Sequence, residues 1–212
     1  MIEVRNVYKS FNGKEVLKDI SFTFEAGKTN LIIGQSGSGK TVLMKSVIGI
    51  HQVDRGQILY NGRDFTKMSN KEVSLLRQEI GMLFQGSALF DSMTVAENVR
   101  FPLEMFSNKT RKEWEKRVDF CLDRVGLSHA ANLFPSEISG GMQKRAAIAR
   151  AIVLEPTYLF CDEPNSGLDP KTSLTIDQLI QEITRENNIT TIVNTHDMNS
   201  VMEIGENINY IH

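Results

Sequence analysis

Apolar and polar positions change period several times along the chain, and the changes mark out its elements. The opening third alternates: Ile2 and Val4, then Val16, Leu17 and Ile20, then Phe22 and Phe24, with Gly13 and Gly27 at the turns. That is the period-two signature of strands. Leu31-Ile32-Ile33 is wholly apolar instead, as a strand covered on both faces of a parallel sheet is. Thr41 to Ile48 reads as a helix. Ser69 to Glu72 is a capping box, opening a stretch that reaches a strand at Ile80 to Phe84 with Gln85 at its end. A second capping box, Thr110 to Glu113, precedes Trp114, Val118, Cys121, Leu122 and Val125 at helical spacing, and Gly126 stops that helix. Asp169-Pro170 reads as an N-cap and N1 pair, with Ile176, Leu179, Ile180 and Ile183 on one face of the helix after it. A β-branched strand, Ile189 to Val193, has His196 just past its end, and a last strand runs from Ile208 to Ile211.

The order is a β-rich lobe, an apolar strand and helix, a helical insertion from Phe90 to Leu154, then strands alternating with helices. At 212 residues the chain is long enough for one large α/β domain. A charged fraction of 24% and a net charge of −2 exclude a general nucleic-acid binder, which carries a basic excess to neutralise phosphates. No apolar run reaches the length of a membrane span; AAIARAIVL is broken by Arg150. The start, MIEVRNVYKS, alternates like a strand and has no apolar leader core, so the expected setting is the cytoplasm, with any membrane association through a partner. Cys121 and Cys161 fall in a helix and a buried strand, and both are expected to be reduced packing residues.

Three segments carry chemistry. Gly34 to Thr41 reads GQSGSGKT, the Gly-x4-Gly-Lys-Thr phosphate loop, between an apolar strand and a helix as its mechanism needs. Gly34, Gly37 and Gly39, with Gln35, Ser36 and Ser38 between them, let backbone N–H groups turn toward phosphate oxygens at a helix N-terminus. Lys40 can reach the β- and γ-phosphates of a nucleotide, and the Thr41 hydroxyl can coordinate Mg2+. Next, Asp162 and Glu163 emerge where a buried strand meets the carboxyl edge of the sheet. Asp162 would hold Mg2+, and Glu163 would deprotonate the attacking water; Cys161, alternating with Asp162, should point away. Third, Ser139-Gly140-Gly141 opens a helix and is again suited to an anion. A chain that already has one triphosphate cradle needs a separate reason for a second.

Together, GQSGSGKT, ISGGMQKRAAIARAI, the strand ending in Asp162-Glu163 and SGLDP resemble the ATPase subunit of an ATP-binding cassette (ABC) transporter, over nearly the whole chain. The resemblance implies an α/β P-loop NTPase. One domain over residues 1–212 would have a RecA-like core with an antiparallel β-subdomain, about 1–89 and 155–212, and an inserted α-helical subdomain, about 90–154. It also implies a head-to-tail homodimer in which Ser139, Gly140 and Gly141 close over the γ-phosphate held by the second copy. Gln85 would be the Q-loop residue touching Mg2+ and water, Asp169 the D-loop residue lying across the dimer, and His196 the switch histidine. Phe11 would stack on adenine, with Tyr8 as the alternative. Asp169 also has an N-cap role, and either aromatic also suits a core role.

FQGSALFDSMTVAENVRFPL and PSEISGGMQKRAAIARAI look most like the ATPases of lipid-asymmetry maintenance (Mla) transporters, with Met142 where many cassettes carry Gln. That likeness implies phospholipid or related cargo, a separate membrane permease, a lipid-binding partner, and a place on the inner face of the cell membrane through the permease. Leu89, Phe90 and Met93 are expected on an apolar surface for a permease helix, core packing being the competing role. The family also implies a further strand and one or two helices beyond His212. Lipoprotein release, small-solute transport and a non-transport ABC ATPase are the alternatives. Chromosome-maintenance members break the nucleotide motifs apart with a coiled coil or zinc modules, and a small-molecule P-loop kinase would not need ISGGM; neither pattern fits.

Overall fold

The computed structural model describes all residues, Met1 to His212. Strands β1 (Ile2–Phe11) and β2 (Lys14–Phe24) form an antiparallel hairpin, which β4 (Arg55–Tyr60) and the short β5 (Arg63–Asp64) extend into a four-stranded sheet ordered β2-β1-β4-β5. The second sheet has five strands: β3 (Thr29–Gly34), β6 (Ile80–Leu83), β7 (Tyr158–Asp162), β8 (Thr190–Asn194) and β9 (Asn207–Ile211). Its order is β6-β7-β8-β3-β9, and every neighbouring pair is parallel. Strand β4 had no counterpart in the sequence pattern: Ile58, Leu59 and Tyr60 are buried in succession, without alternation.

Burial on both faces explains why the central strands read as unbroken apolar runs. Successive residues point to opposite sides of a strand, and here they enter different cores. Leu31, Leu159, Cys161 and Val193 join the larger cluster, while Ile32, Phe160 and Ile192 join the smaller one. The smaller core is closed by the antiparallel sheet and by α1 (Lys40–Val47). The larger is covered by α3 (Val95–Phe106), α4 (Arg111–Arg124), α5 (Gly140–Ile152), α6 (Pro170–Glu186) and α7 (Met198–Ile204). On α6, Ile176, Leu179, Ile180 and Ile183 are all buried.

The local signals hold at the helix starts. In α2 (Asn70–Gln78), the Glu72 carboxylate accepts from the Ser69 N–H at 2.7 Å, and the Ser69 hydroxyl accepts from the Glu72 N–H at 3.4 Å. Asp169 caps α6 by accepting from the N–H groups of Lys171 and Thr172, both at 3.1 Å, with Pro170 at the first helical position. Both cysteines are free and buried. Burial pushes the Cys121 thiol up to about 11 and holds that of Cys161 far above its ordinary value, so neither is a thiolate near neutral pH.

Helix α5 lies directly on β6. A methyl group added to Gly81 would run into the Ala151 carbonyl of that helix and sit 3.2 Å from Leu159 Cδ1. Backbone on that side has no side chain end to swing away, so the layers must part. Gly81→Ala should therefore lower stability by about 1–3 kcal/mol, seen as a reduced urea midpoint. An unchanged midpoint would show that the contact between helix and sheet is slack.

Candidate functional site

The parallel sheet delivers the polar residues to one edge. Strand β3 ends at Gly34, and the loop from Gln35 to Gly39 runs into α1. Gly39 occupies the N-cap of α1 with φ of 100°, and a Cβ there would sit 3.1 Å from the Val16 carbonyl, so only glycine fits. Lys40 is 8% exposed and curls back over the loop, donating to the carbonyls of Gly34 at 2.9 Å and Gln35 at 3.1 Å. The Ser38 hydroxyl is buried without any protein partner. A buried polar atom left unpaired is rare and expensive; one in the glycine-rich turn just before the N-terminus of α1 fits a loop shaped for a phosphate.

Asp162 is the last residue of β7 and lies level with Asn194, the last of β8, while Asn194 lies level with Ile32 of β3. This register puts the Asn194 side chain between the two halves of the site. Its Nδ2 donates to Asp162 Oδ1 at 2.6 Å and to Thr41 Oγ1 at 3.2 Å. A carboxylate and a hydroxyl held side by side at a helix N-terminus are oxygen donors of the kind Mg2+ takes. Sequence reading missed Asn194, because its role appears only once the strands are paired.

Glu163 follows with φ of 48°, a left-handed conformation that is unusual for a residue with a side chain. Its N–H donates to the Asn194 carbonyl at 2.9 Å, which fixes the turn to β8. Its carboxylate meets Nδ1 of His196 at 2.8 and 2.9 Å. The carboxylate is mostly covered and the imidazole mostly open, at 15% and 72% side-chain exposure. A cleft of about 740 Å³ opens beside the pair. Gln85, one residue beyond Phe84, reaches the Ser166 hydroxyl at 3.3 Å rather than Asp162 or Thr41.

Other predicted residues lie elsewhere. Ser139 caps α5, its hydroxyl accepting from the Met142 N–H at 3.3 Å. Ser139, Gly140 and Gly141 face a separate cleft of about 640 Å³ with Asp169, Lys171 and Thr172, and no residue of the phosphate loop borders it. The Thr172 hydroxyl and the helix N–H groups hold the Asp169 carboxyl below its ordinary range. Met142 packs against the larger core. Phe11 ends β1 with 39% of its surface exposed and is not a core residue; His51 meets its ring edge-on at 5.2 Å. Tyr8 lies under the Arg55 guanidinium, 4.7 Å from the ring centre.

The expected apolar surface needs correction. Leu89 is packed against the larger core, and Met93 is half-buried in a turn whose Met93 and Phe90 carbonyls both accept from the buried Asn98 amide at 3.1 Å. The exposed groove, about 300 Å³, is lined instead by Phe84, Phe90, Phe101 and Phe106 with Met82 and Leu154. Of the expected three, only Phe90 contributes.

Comparison with known proteins agrees with the motifs. Residues 17–166 match the family described as ABC transporter. The chain is 41% identical over 207 residues to the "Probable ribonucleotide transport ATP-binding protein mkl" of Mycobacterium leprae, covering 98% of this chain and 60% of that one. It is 44% identical over 210 residues to the "Methionine import ATP-binding protein MetN" of Photobacterium profundum, covering 96% and 60%. The chain thus spans about three-fifths of the length of these curated relatives. Among solved structures, the cassette MJ0796, seen as a post-hydrolysis dimer bound to ADP and Pi, superposes with a TM-score of 0.88 at 31% identity, covering 100% of this chain and 94% of that one. The cassette cbiO1 from Clostridium perfringens, part of the transporter complex cbiONQ, gives 0.92 at 32% identity, covering 99% and 84%. The chain belongs to the ABC transporter family and carries its ATP-binding cassette.

Proposed function

We propose that this chain is the ATP-hydrolysing subunit of a membrane transporter, working as a head-to-tail pair of copies that holds two Mg-ATP. The observation that carries this reading is the division of the site. Lys40, Thr41, Asp162, Glu163 and His196 lie along one sheet edge, whereas Ser139-Gly140-Gly141 and Asp169 face a different cleft. A second phosphate-binding turn that borders no part of its own phosphate loop has its natural use on a partner's nucleotide, in an isologous contact.

In this reading the loop from Gly34 to Thr41 wraps the triphosphate and Phe11 stacks on the base. Thr41 and Asp162 would hold Mg2+, with Gln85 as a further contact, and the ion supplies charge neutralisation on the phosphate oxygens. Lys40 leaves its carbonyl partners for the β- and γ-phosphates. Glu163 accepts the proton of the attacking water, as a positioned general base. His196 fixes the direction of that carboxylate through Nδ1 and reaches the γ-phosphate with its other nitrogen. Residues of about 90–154 act as the helical subdomain that carries the signature turn.

A membrane permease is the expected partner, as the similar cassette cbiO1 is part of a transporter complex, and it would place the cassette on the inner face of the cell membrane. The groove around Phe84, Phe90 and Phe101 suits an apolar permease helix. For the cargo we propose phospholipid or a related lipid, delivered with a lipid-binding partner, on the likeness of the Phe84–Leu103 and Pro135–Ile152 segments to the lipid-asymmetry ATPases. The second reading is a small solute, favoured by relatives named for ribonucleotide transport and methionine import. Co-purification of the permease and mass spectrometry of its bound molecules separates the two.

Glu163→Gln should keep Mg-ATP binding and lower the rate of phosphate release at least about a hundredfold, as loss of a general base does; near-normal turnover would remove Glu163 from the chemistry. The division of the site is tested by mixing variants. Ser139→Arg should bind nucleotide yet hydrolyse none, and Lys40→Ala should be inactive. Together they should regain activity, since one composite site then draws Lys40 and Glu163 from one copy and Ser139 from the other. A Ser139→Arg chain that cannot bind ATP would instead assign the turn to its own site.

A further inference from the structure

Helix α3 ends at Phe106 and α4 begins at Arg111, and the corner between them is open to solvent. Met105 and Phe106 keep 58% and 52% of their surface exposed, although the same helix buries Val95, Val99 and Leu103. The stretch from Met105 to Arg117 carries five basic and two acidic side chains, in a chain whose net charge is −2. Lys109, Lys112 and Lys116 recur three and four residues apart, the spacing of one helix face. None of the three takes part in an ion pair. Both acidic groups of the stretch are already engaged: Glu113 accepts from the Thr110 N–H at 2.7 Å, and Glu115 pairs with Arg111 at 3.4 Å.

A cleft of about 550 Å³ opens at this corner, with Leu103, Phe106, Lys109, Trp114 and Leu154 on its walls. Its two carboxylates are taken, Glu113 by the helix cap and Glu155 by Arg117 at 3.6 Å. The Trp114 Nε1–H is buried there without any partner. A buried donor left unpaired is rare and costly. An indole at a lipid interface avoids that cost, since its ring sits in apolar surroundings while its N–H meets a polar oxygen. The cleft thus combines an apolar wall, an ammonium with no carboxylate and an unused N–H donor. Phe106 also borders the groove lined by Phe84, Phe90 and Phe101, so the corner adjoins the surface assigned above to a permease helix.

We propose that the α3–α4 corner touches the bilayer directly: Met105 and Phe106 enter the headgroup region of an anionic membrane, Lys109, Lys112 and Lys116 meet its phosphates, and Trp114 donates to a lipid oxygen. The inference rests on the reading of this chain as a permease-bound cassette, which brings the corner beside the membrane. Anionic headgroups attract each nearby lysine until salt screens the attraction. A few lysines with two apolar side chains make a reversible contact, which orients a subunit that the permease already tethers.

Trp114 is the only tryptophan of the chain, so its fluorescence reports on this corner alone. Vesicles of phosphatidylcholine mixed with phosphatidylglycerol brominated on its acyl chains should quench the full chain's emission about twofold, as for an indole at headgroup level. Vesicles of brominated phosphatidylcholine alone should leave the emission unchanged, and high salt should reverse the quenching. The exposed pair Lys109→Glu and Lys112→Glu, made together, should weaken vesicle affinity at least about tenfold. Its thermal midpoint and its Kd for Mg-ATP should stay at the native values. Equal quenching by both lipids, co-sedimentation without quenching, or native affinity in the double variant overturns the proposal. An emission change with inorganic phosphate alone also overturns it, by marking a site for small anions. If the double variant loses the permease in detergent and keeps its vesicle affinity, the corner is a protein contact and the proposal falls. A native chain that binds no vesicle overturns the proposal and leaves the ATPase reading, which turnover tests, in place.

Discussion

Asp162 and Asn194 stand opposite each other at the ends of β7 and β8, and Asn194 stands level with Ile32 two residues before the phosphate loop. That parallel register is the constraint on which the rest of the site depends. It lets one amide hold the aspartate at 2.6 Å and the threonine at 3.2 Å, joining groups 121 positions apart in sequence, from Thr41 to Asp162. A slip of one residue in β8 would turn Asn194 into a core and bring Val193 to the edge. The two cores on either side of the sheet oppose such a slip, because alternate residues of every central strand are committed to one or the other.

From this fixed edge the chain turns sharply twice. Glu163 takes a left-handed backbone conformation held by the Asn194 carbonyl, and His196 then closes on its carboxylate. The loop beyond Glu163 leads to Asp169 and the start of α6, where the Ser139 turn also lies. The phosphate loop and the Ser139 turn thus point to different clefts. A pair of copies related by a two-fold axis satisfies both at once.

Much of this was legible before any coordinates. The phosphate loop, the Asp162-Glu163 strand end, the capping boxes and the Asp169-Pro170 start are local signals, each set by residues within a few positions of one another. What escaped was long-range. Asn194 sits in an ordinary β-branched strand and acquires its place from strand pairing alone. Strand β4 escaped because its run of Ile58, Leu59 and Tyr60, unlike Leu31-Ile32-Ile33, leads into no recognisable motif. Lys144 and Arg150 look like the solvated charges of a helix until the segment after β6 is laid against them. The apolar groove was misjudged at Leu89 and Met93 since apolarity does not reveal which side of a turn faces the core; Asn98 decides that by tying the turn down.

The central claim is that one copy holds half of each nucleotide site. Sedimentation velocity of the Glu163→Gln chain, with and without Mg-ATP, tests it most directly, because blocked hydrolysis preserves whatever assembly the nucleotide drives. The account predicts a monomer that becomes a dimer on adding Mg-ATP, with one nucleotide trapped per copy. A chain that binds Mg-ATP tightly and remains a monomer at every concentration would contradict it.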